Sequence, residues 1–163
     1  MSVHCLAGYE KTLGKDHPSA LQTVHNIASV FNNQGLYEEA LKWYERALAA
    51  KEKTLGKDHP STLNTVNNMA TVFDIQSRHK EALKWYERAL AGYKKTLGKD
   101  HPSTLATVNN MASVFRGQGR YEEALKWYER ALAGYEKTFG KDHPTTLLIA
   151  NNMANVLRNQ GPA

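Results

Sequence analysis

The chain holds one cysteine, Cys5, in 163 residues. No intramolecular disulfide can form, which fits a reducing compartment. No apolar run approaches the ~20 residues that a membrane helix needs. No apolar segment at the start reads as a secretory signal. There is no glycine-rich phosphate loop, so a nucleotide site of that kind is absent from the sequence. There is also no block of like charge. The 21 basic residues are interleaved with 16 acidic ones, and the net charge of +5 is only a weak pointer to nucleic acid. A hydrophobic content of 41% with 23% charged residues is ordinary for a folded domain. These features lead us to expect a cytoplasmic protein with no membrane partner, no cofactor and no metal.

What the sequence does have is repetition. Lys-Asp-His-Pro recurs with its histidine at His17, His59, His101 and His143. Glu-Ala-Leu-Lys-Trp-Tyr-Glu-Arg-Ala-Leu recurs around Trp43, Trp85 and Trp127, with the same spacing. Nine positions differ between Pro60–His101 and Pro102–His143, and fourteen between Pro18–His59 and Pro60–His101. Repeats this alike imply recent duplication or consensus design, and a solenoid in which each unit is one supersecondary element.

Each unit reads as two helices. The first opens at His59-Pro60, because proline suits the first helical position, where its missing N–H has no intrahelical partner. Asp58 and Ser61 are close enough to cap it. Leu63, Val66, Ala70 and Phe73 follow at helical spacing. Gly35 and Gly119 stop the equivalent helices, and Ser77 is a weaker stop. The second helix spans about Tyr37 to Leu55 and ends at Gly56, with Lys53 placed to suit the dipole. Glu38 and Lys42 are spaced for a surface pair. No segment reads as a strand. The expected organisation is all-α. A partial unit over 2–17 carries only a second helix, followed by full units 18–59, 60–101 and 102–143. A partial unit over 144–160 then carries only a first helix. That makes eight helices, read as a span of a longer array.

The columns Asn68-Met69-Ala70, Phe73, Ala82, Tyr86 and Ala89 resemble the packing positions of tetratricopeptide repeats. Ile27, Ala28, Phe31, Ala40, Tyr44 and Ala47 fill them in the preceding unit, and Met111, Ala112, Phe115, Ala124, Tyr128 and Ala131 in the following one. Two features depart from the usual 34-residue form. Val24, Val66 and Val108 stand where tryptophan is frequent, and the unit-ending proline is missing. The 42-residue unit is similar to those of kinesin light chains and of arrays attached to fungal NOD-like NTPases. The resemblance implies a right-handed α-solenoid, a concave groove lined by the first helices, and a protein-binding role as the recognition part of a larger protein.

A helix turns ~100° per residue. On that wheel Leu63, Val66, Met69, Ala70 and Phe73 gather on one side. Asn64, Asn67, Asn68, Thr71, Asp74 and Ile75 gather on the other, which the resemblance places in the groove. Four of the nine differences between the second and third full units fall at Asn64/Ala106, Thr71/Ser113, Asp74/Arg116 and Ile75/Gly117. The outer Lys-Trp-Tyr-Glu-Arg does not vary. Free drift at exposed positions explains the first fact but not the second.

The candidate groove residues are His25, Asn32, Asn64, Asn67, Thr71, Asp74, Ala106, Asn109, Ser113, Arg116, Leu148, Asn151, Asn155 and Arg158. His25, Asn67, Asn109 and Asn151 form one ladder, and Asn26, Asn68, Asn110 and Asn152 a second. An amide offers both donor and acceptor and can pair with a peptide backbone in either direction. Either ladder could instead bond neighbouring helices and stabilise the stack. Arg116 and Arg158 suggest a partner with acidic residues.

Sharper chemistry fits less well. Units a helix diameter apart, ~10 Å, cannot bring two of the Asp-His-Pro histidines to one zinc at ~2 Å. The Trp-Tyr pairs read as packing between units rather than base-stacking platforms. Cys5 aligns with Ala47, Ala89 and Ala131 and reads as a buried, unreactive core position. The leading expectation is a protein-interaction module and not an enzyme. The alternatives are an architectural or engineered scaffold that self-associates head-to-tail, and a helical-repeat nucleic-acid binder. Open ends, in the helices over 2–13 and 144–160, would fray or pack against another copy.

Overall fold

The structure is a computed structural model that describes residues 3–161. Ser2, placed in the first helix by the sequence reading, lies outside them. Eight helices follow one another: α1 Val3–Leu13, α2 Pro18–Asn33, α3 Tyr37–Leu55, α4 Pro60–Ile75, α5 His79–Thr96, α6 Pro102–Gly117, α7 Tyr121–Phe139 and α8 Pro144–Asn159. No strand occurs among the described residues. The even-numbered helices are the first helices of their units. Each packs on the helix before it and, where one follows, on the helix after it. In addition α4 touches α6 directly, which puts the first helices on the inner row.

Every first helix opens in the same way, but not with the expected cap. The ring Nδ1 of His17, His59, His101 and His143 accepts the backbone N–H two residues on, at 3.2, 3.1, 3.1 and 3.2 Å. The histidine has extended backbone angles and sits at the capping position itself. Asp58, one residue earlier, is turned outward to Lys95 at 2.7 Å. The repeated Asp-His-Pro is therefore a capping device with histidine as the acceptor. The surface pair also shifts: Lys42 meets Glu39 at 3.0 Å, while Glu38 accepts from Gln76 of the next unit at 2.9 Å.

Tyr44, Tyr86 and Tyr128 are buried at the centre of their units. Their hydroxyls meet Ser29, Thr71 and Ser113 at 3.0, 2.8 and 2.9 Å, tying second helix to first. Phe31, Phe73 and Phe115 stack on Trp43, Trp85 and Trp127 at 6.5, 6.3 and 6.2 Å. Those tryptophans are thus engaged in packing. Gly92 and Gly134 sit inside helices, where glycine costs about 1 kcal/mol against alanine. A side chain on either would overlap Leu63 or Leu105, so the glycines let paired helices approach. Ser77 ends α4 in the left-handed region (φ 58°), a position its counterparts Gly35 and Gly119 take freely.

Cys5 is exposed, contrary to the expectation of a core position. Its aligned alanines are buried between the first helices on either side, whereas among the described residues α1 has a first helix, α2, on one side only.

Candidate peptide-binding groove

The inner row carries five columns of candidate residues, and the structure divides them by how far their hydrogen bonds are already committed. The column of Asn64, Ala106 and Leu148 is open. Asn64 and Leu148 are exposed and Ala106 is half-buried. Gln22, which begins it, donates to Asn26 Oδ1 at 3.0 Å.

The first asparagine column joins successive units. Thr107 Oγ1 donates to Asn67 Oδ1 at 3.0 Å, from α6 to α4. His25 is buried, with Nδ1 3.3 Å from Thr65 Oγ1 and Nε2 3.2 Å from Asn68 Nδ2. His25 and Asn67 therefore lie in the seams between first helices, at the groove floor, with polar atoms already engaged. The pattern stops at the third full unit. Ile149 stands where Thr65 and Thr107 stand two units and one unit earlier, and Asn109 Oδ1 is buried with no donor. Asn151 is exposed. Thr107→Val should therefore cost about 1 kcal/mol by stranding Asn67 Oδ1 as well. Urea unfolding measures it, and an unchanged midpoint for Thr107→Val, which keeps the shape of the side chain, would show that the seam bond contributes nothing.

The second asparagine column is mixed. Asn68 is committed to His25, Asn26 to Gln22, and Asn110 and Asn152 are half-buried. Thr71 and Ser113 hold the buried tyrosines, as described above. Asn155, their counterpart on α8, instead accepts from the Arg158 guanidinium. In the charged column, Asp74 Oδ1 meets His79 Nδ1 at 3.1 Å, and Asn32 Oδ1 is buried without a donor. Arg116 is half-buried and makes no hydrogen bond or ion pair among the described residues, while Arg158 is exposed. The groove is thus least committed along α6 and α8.

The sequence reading did not single out Thr65, Thr107 or Lys51. The threonines had a signal: their column is Thr23, Thr65, Thr107 and then Ile149, a break that coincides with the stranded Asn109. Lys51 had one too, since Tyr9, Tyr93 and Tyr135 occupy its position in the other units.

Helix pairs stacked in register, with first helices inside and second helices outside, define a right-handed α-solenoid. Tetratricopeptide repeat models match residues 19–95, 75–137 and 103–161. The chain belongs to the tetratricopeptide repeat family, whose members generally mediate protein–protein interaction and serve as non-catalytic scaffolds. Among solved structures it is similar to nearly identical TPR-like repeats from Podosopora anserina, assigned there to a kinesin light chain. That match has 30% identity and a TM-score of 0.78, over 97% of this chain and 75% of that one. A single-substitution form of the same repeats gives a TM-score of 0.80 at 30% identity, over 97% of this chain and 74% of that one. BtubC from P. vanneervenii shares the fold at 20% identity, with a TM-score of 0.85 over 97% of this chain and 63% of that one. No curated protein matches the chain.

Proposed function

We propose that this array binds an extended segment of a partner protein along its inner row, as the recognition part of a larger cytoplasmic protein. The observation that carries this reading is the inner face of α6 and α8, the least committed of the row, where Arg116 makes no bond among the described residues, Arg158 is exposed, and Ala106 and Leu148 lie about three helical turns away towards the helix starts. Acidic residues of the partner would meet the arginines, and an apolar side chain would lie against Leu148. An exposed charge pair contributes up to ~1 kcal/mol, more where the bound peptide excludes water. Arg116→Ala/Arg158→Ala should then weaken a peptide selected from a random display library about tenfold, with melting unchanged because neither side chain is core. Unchanged affinity in that variant would remove the acidic-partner reading. No helix among the described residues is long and apolar enough to cross a membrane.

A second reading rests on the two end helices. Leu147 and Leu157 on α8 are half-exposed, while their counterparts Leu105 and Phe115 are buried. On α1, a side chain at Gly8 would meet nothing, whereas Gly92 and Gly134 receive Leu63 and Leu105. The α8 of one copy fits the α1 of another, with Leu147 on Gly8, in a heterologous contact. Sedimentation should show mass rising with concentration, and Leu147→Glu should abolish the rise. A monomer at all concentrations excludes this assembly.

A further inference from the structure

Among the described residues Lys51 is the one lysine buried in the core, at 3% exposure. Its Nζ donates to Ser61 O at 3.3 Å and to Thr65 Oγ1 at 3.0 Å, which uses two of its three N–H bonds. No carboxylate pairs with it among the described residues. Asp16, which lines the same recess, is held by Lys53 at 2.9 Å. Burying an ammonium costs several kcal/mol unless a counter-charge compensates. Tyrosine occupies this position in the units around Tyr93 and Tyr135, and both of those are buried. The stack therefore has an apolar alternative here and does not require the charge.

The lysine also borders a cavity. A recess of about 310 Å³ opens where the start of α2, the end of α3 and the start of α4 converge. Lys51 and its partner Ser61 line it, together with Pro18, Leu21, Leu55 and Gln22. Pro18, Leu21 and Leu55 supply apolar wall, and Gln22 places the mouth at the edge of the inner row. The volume is at the lower end for a small-molecule site. One unpaired cation in a largely apolar recess selects for one anion on a short hydrocarbon stem.

We infer that this recess is a binding site for a carboxylate on a short apolar stem, with Lys51 as the counter-ion and Leu21 and Leu55 as the wall. The carboxylate supplies the charge that Lys51 lacks and accepts its third N–H. The stem fills the space left by replacing a tyrosine with a thinner lysine. Both a free monocarboxylate and a glutamate side chain of a peptide crossing the edge have this chemistry. The site does not depend on the groove reading.

His25 reports on it. Its ring shares Thr65 with Lys51, packs edge-on to Tyr44 of α3 at 5.4 Å, and bonds Asn68 of α4. Burial first, and the Lys51 charge second, depress its pKa to about 4. An anion bound to Lys51 offsets the second cause, so the ring signals should shift on binding.

The test uses the whole chain. Sodium hexanoate, hexanol and a short peptide with a single glutamate are titrated in turn while the His25 ring is followed by NMR. Hexanoate should saturate near pH 7, where it is ionised, with a dissociation constant on the order of 1 mM and shift the His25 ring signals. Hexanol should do neither. Lys51→Tyr, which installs the residue of the other units, should keep the fold and weaken hexanoate at least tenfold. If only the glutamate peptide saturates, and Lys51→Tyr abolishes it, the side chain is the occupant. If neither carboxylate saturates, or Lys51→Tyr and Lys51→Met bind as the parent does, the inference is overturned.

Discussion

Tyr128→Ala should destabilise the array by about 3–5 kcal/mol, the range for emptying a large aromatic site. Tyr128 is fully buried and lies at the centre of the third full unit. Its ring packs between α6 and α7, and its hydroxyl meets Ser113 at 2.9 Å. The surrounding helices cannot close the gap, since Ala112, Ala124 and Ala131 are already small and fully buried. Tyr128→Phe should cost only about 1 kcal/mol, because Ser113 is half-buried and can turn to water. In a solenoid, stability is roughly a sum of unit and interface contributions. The alanine variant should therefore also split the urea transition, with α7 and α8 melting before the rest. A single unshifted transition would contradict the account of this core.

Acidification should weaken the fold through His25. Its ordinary pKa of 6.5 is lowered to about 4 in the folded chain, by burial first and by Lys51 second. Above pH 6.5 both folded and unfolded chains hold the ring neutral, and no proton linkage operates. Between 6.5 and about 4 the unfolded chain binds a proton that the folded chain refuses, so stability falls with falling pH. By pH 5 the loss reaches up to about 2 kcal/mol. His25→Asn installs the residue that the other units carry, and it should remove this dependence. Denaturant unfolding of both proteins at pH 7.5 and pH 5 measures the difference. Parallel losses in the two would show that His25 does not titrate as its surroundings require.

The fold was legible because its determinants are local and repeated four times over. Proline after histidine, apolar residues at helical spacing and glycine stops set all eight helices to within a residue or two. The capping group was misassigned because aspartate and serine are the commoner acceptors. Which atom reaches the N–H depends on backbone angles at His59 that composition does not reveal. Cys5 was misread because alignment to Ala47 assumes equal neighbours, and among the described residues α1 has a first helix on one side only.

The groove was legible as a face but not as a set of free side chains. Helical periodicity places Asn67 and Thr71 on the inner row. It does not say that Thr107 reaches across to Asn67, or that Thr71 holds Tyr86. Those bonds join residues about one unit apart or on opposite helices, and only the stacking distance decides them. Ile149 had no visible consequence until the neighbouring Asn109 Oδ1 was found without a donor.

The central claim is that the inner row of first helices is where a partner binds. The most direct measurement is a backbone NMR titration of the chain with a peptide selected from a random display library. The account predicts that shifts concentrate at Asn64, Ala106, Arg116, Leu148, Asn151 and Arg158, on α4, α6 and α8. The outer faces of α3, α5 and α7 should stay still. Saturable binding with its shifts on those outer faces, and none on α6 and α8, would contradict the account.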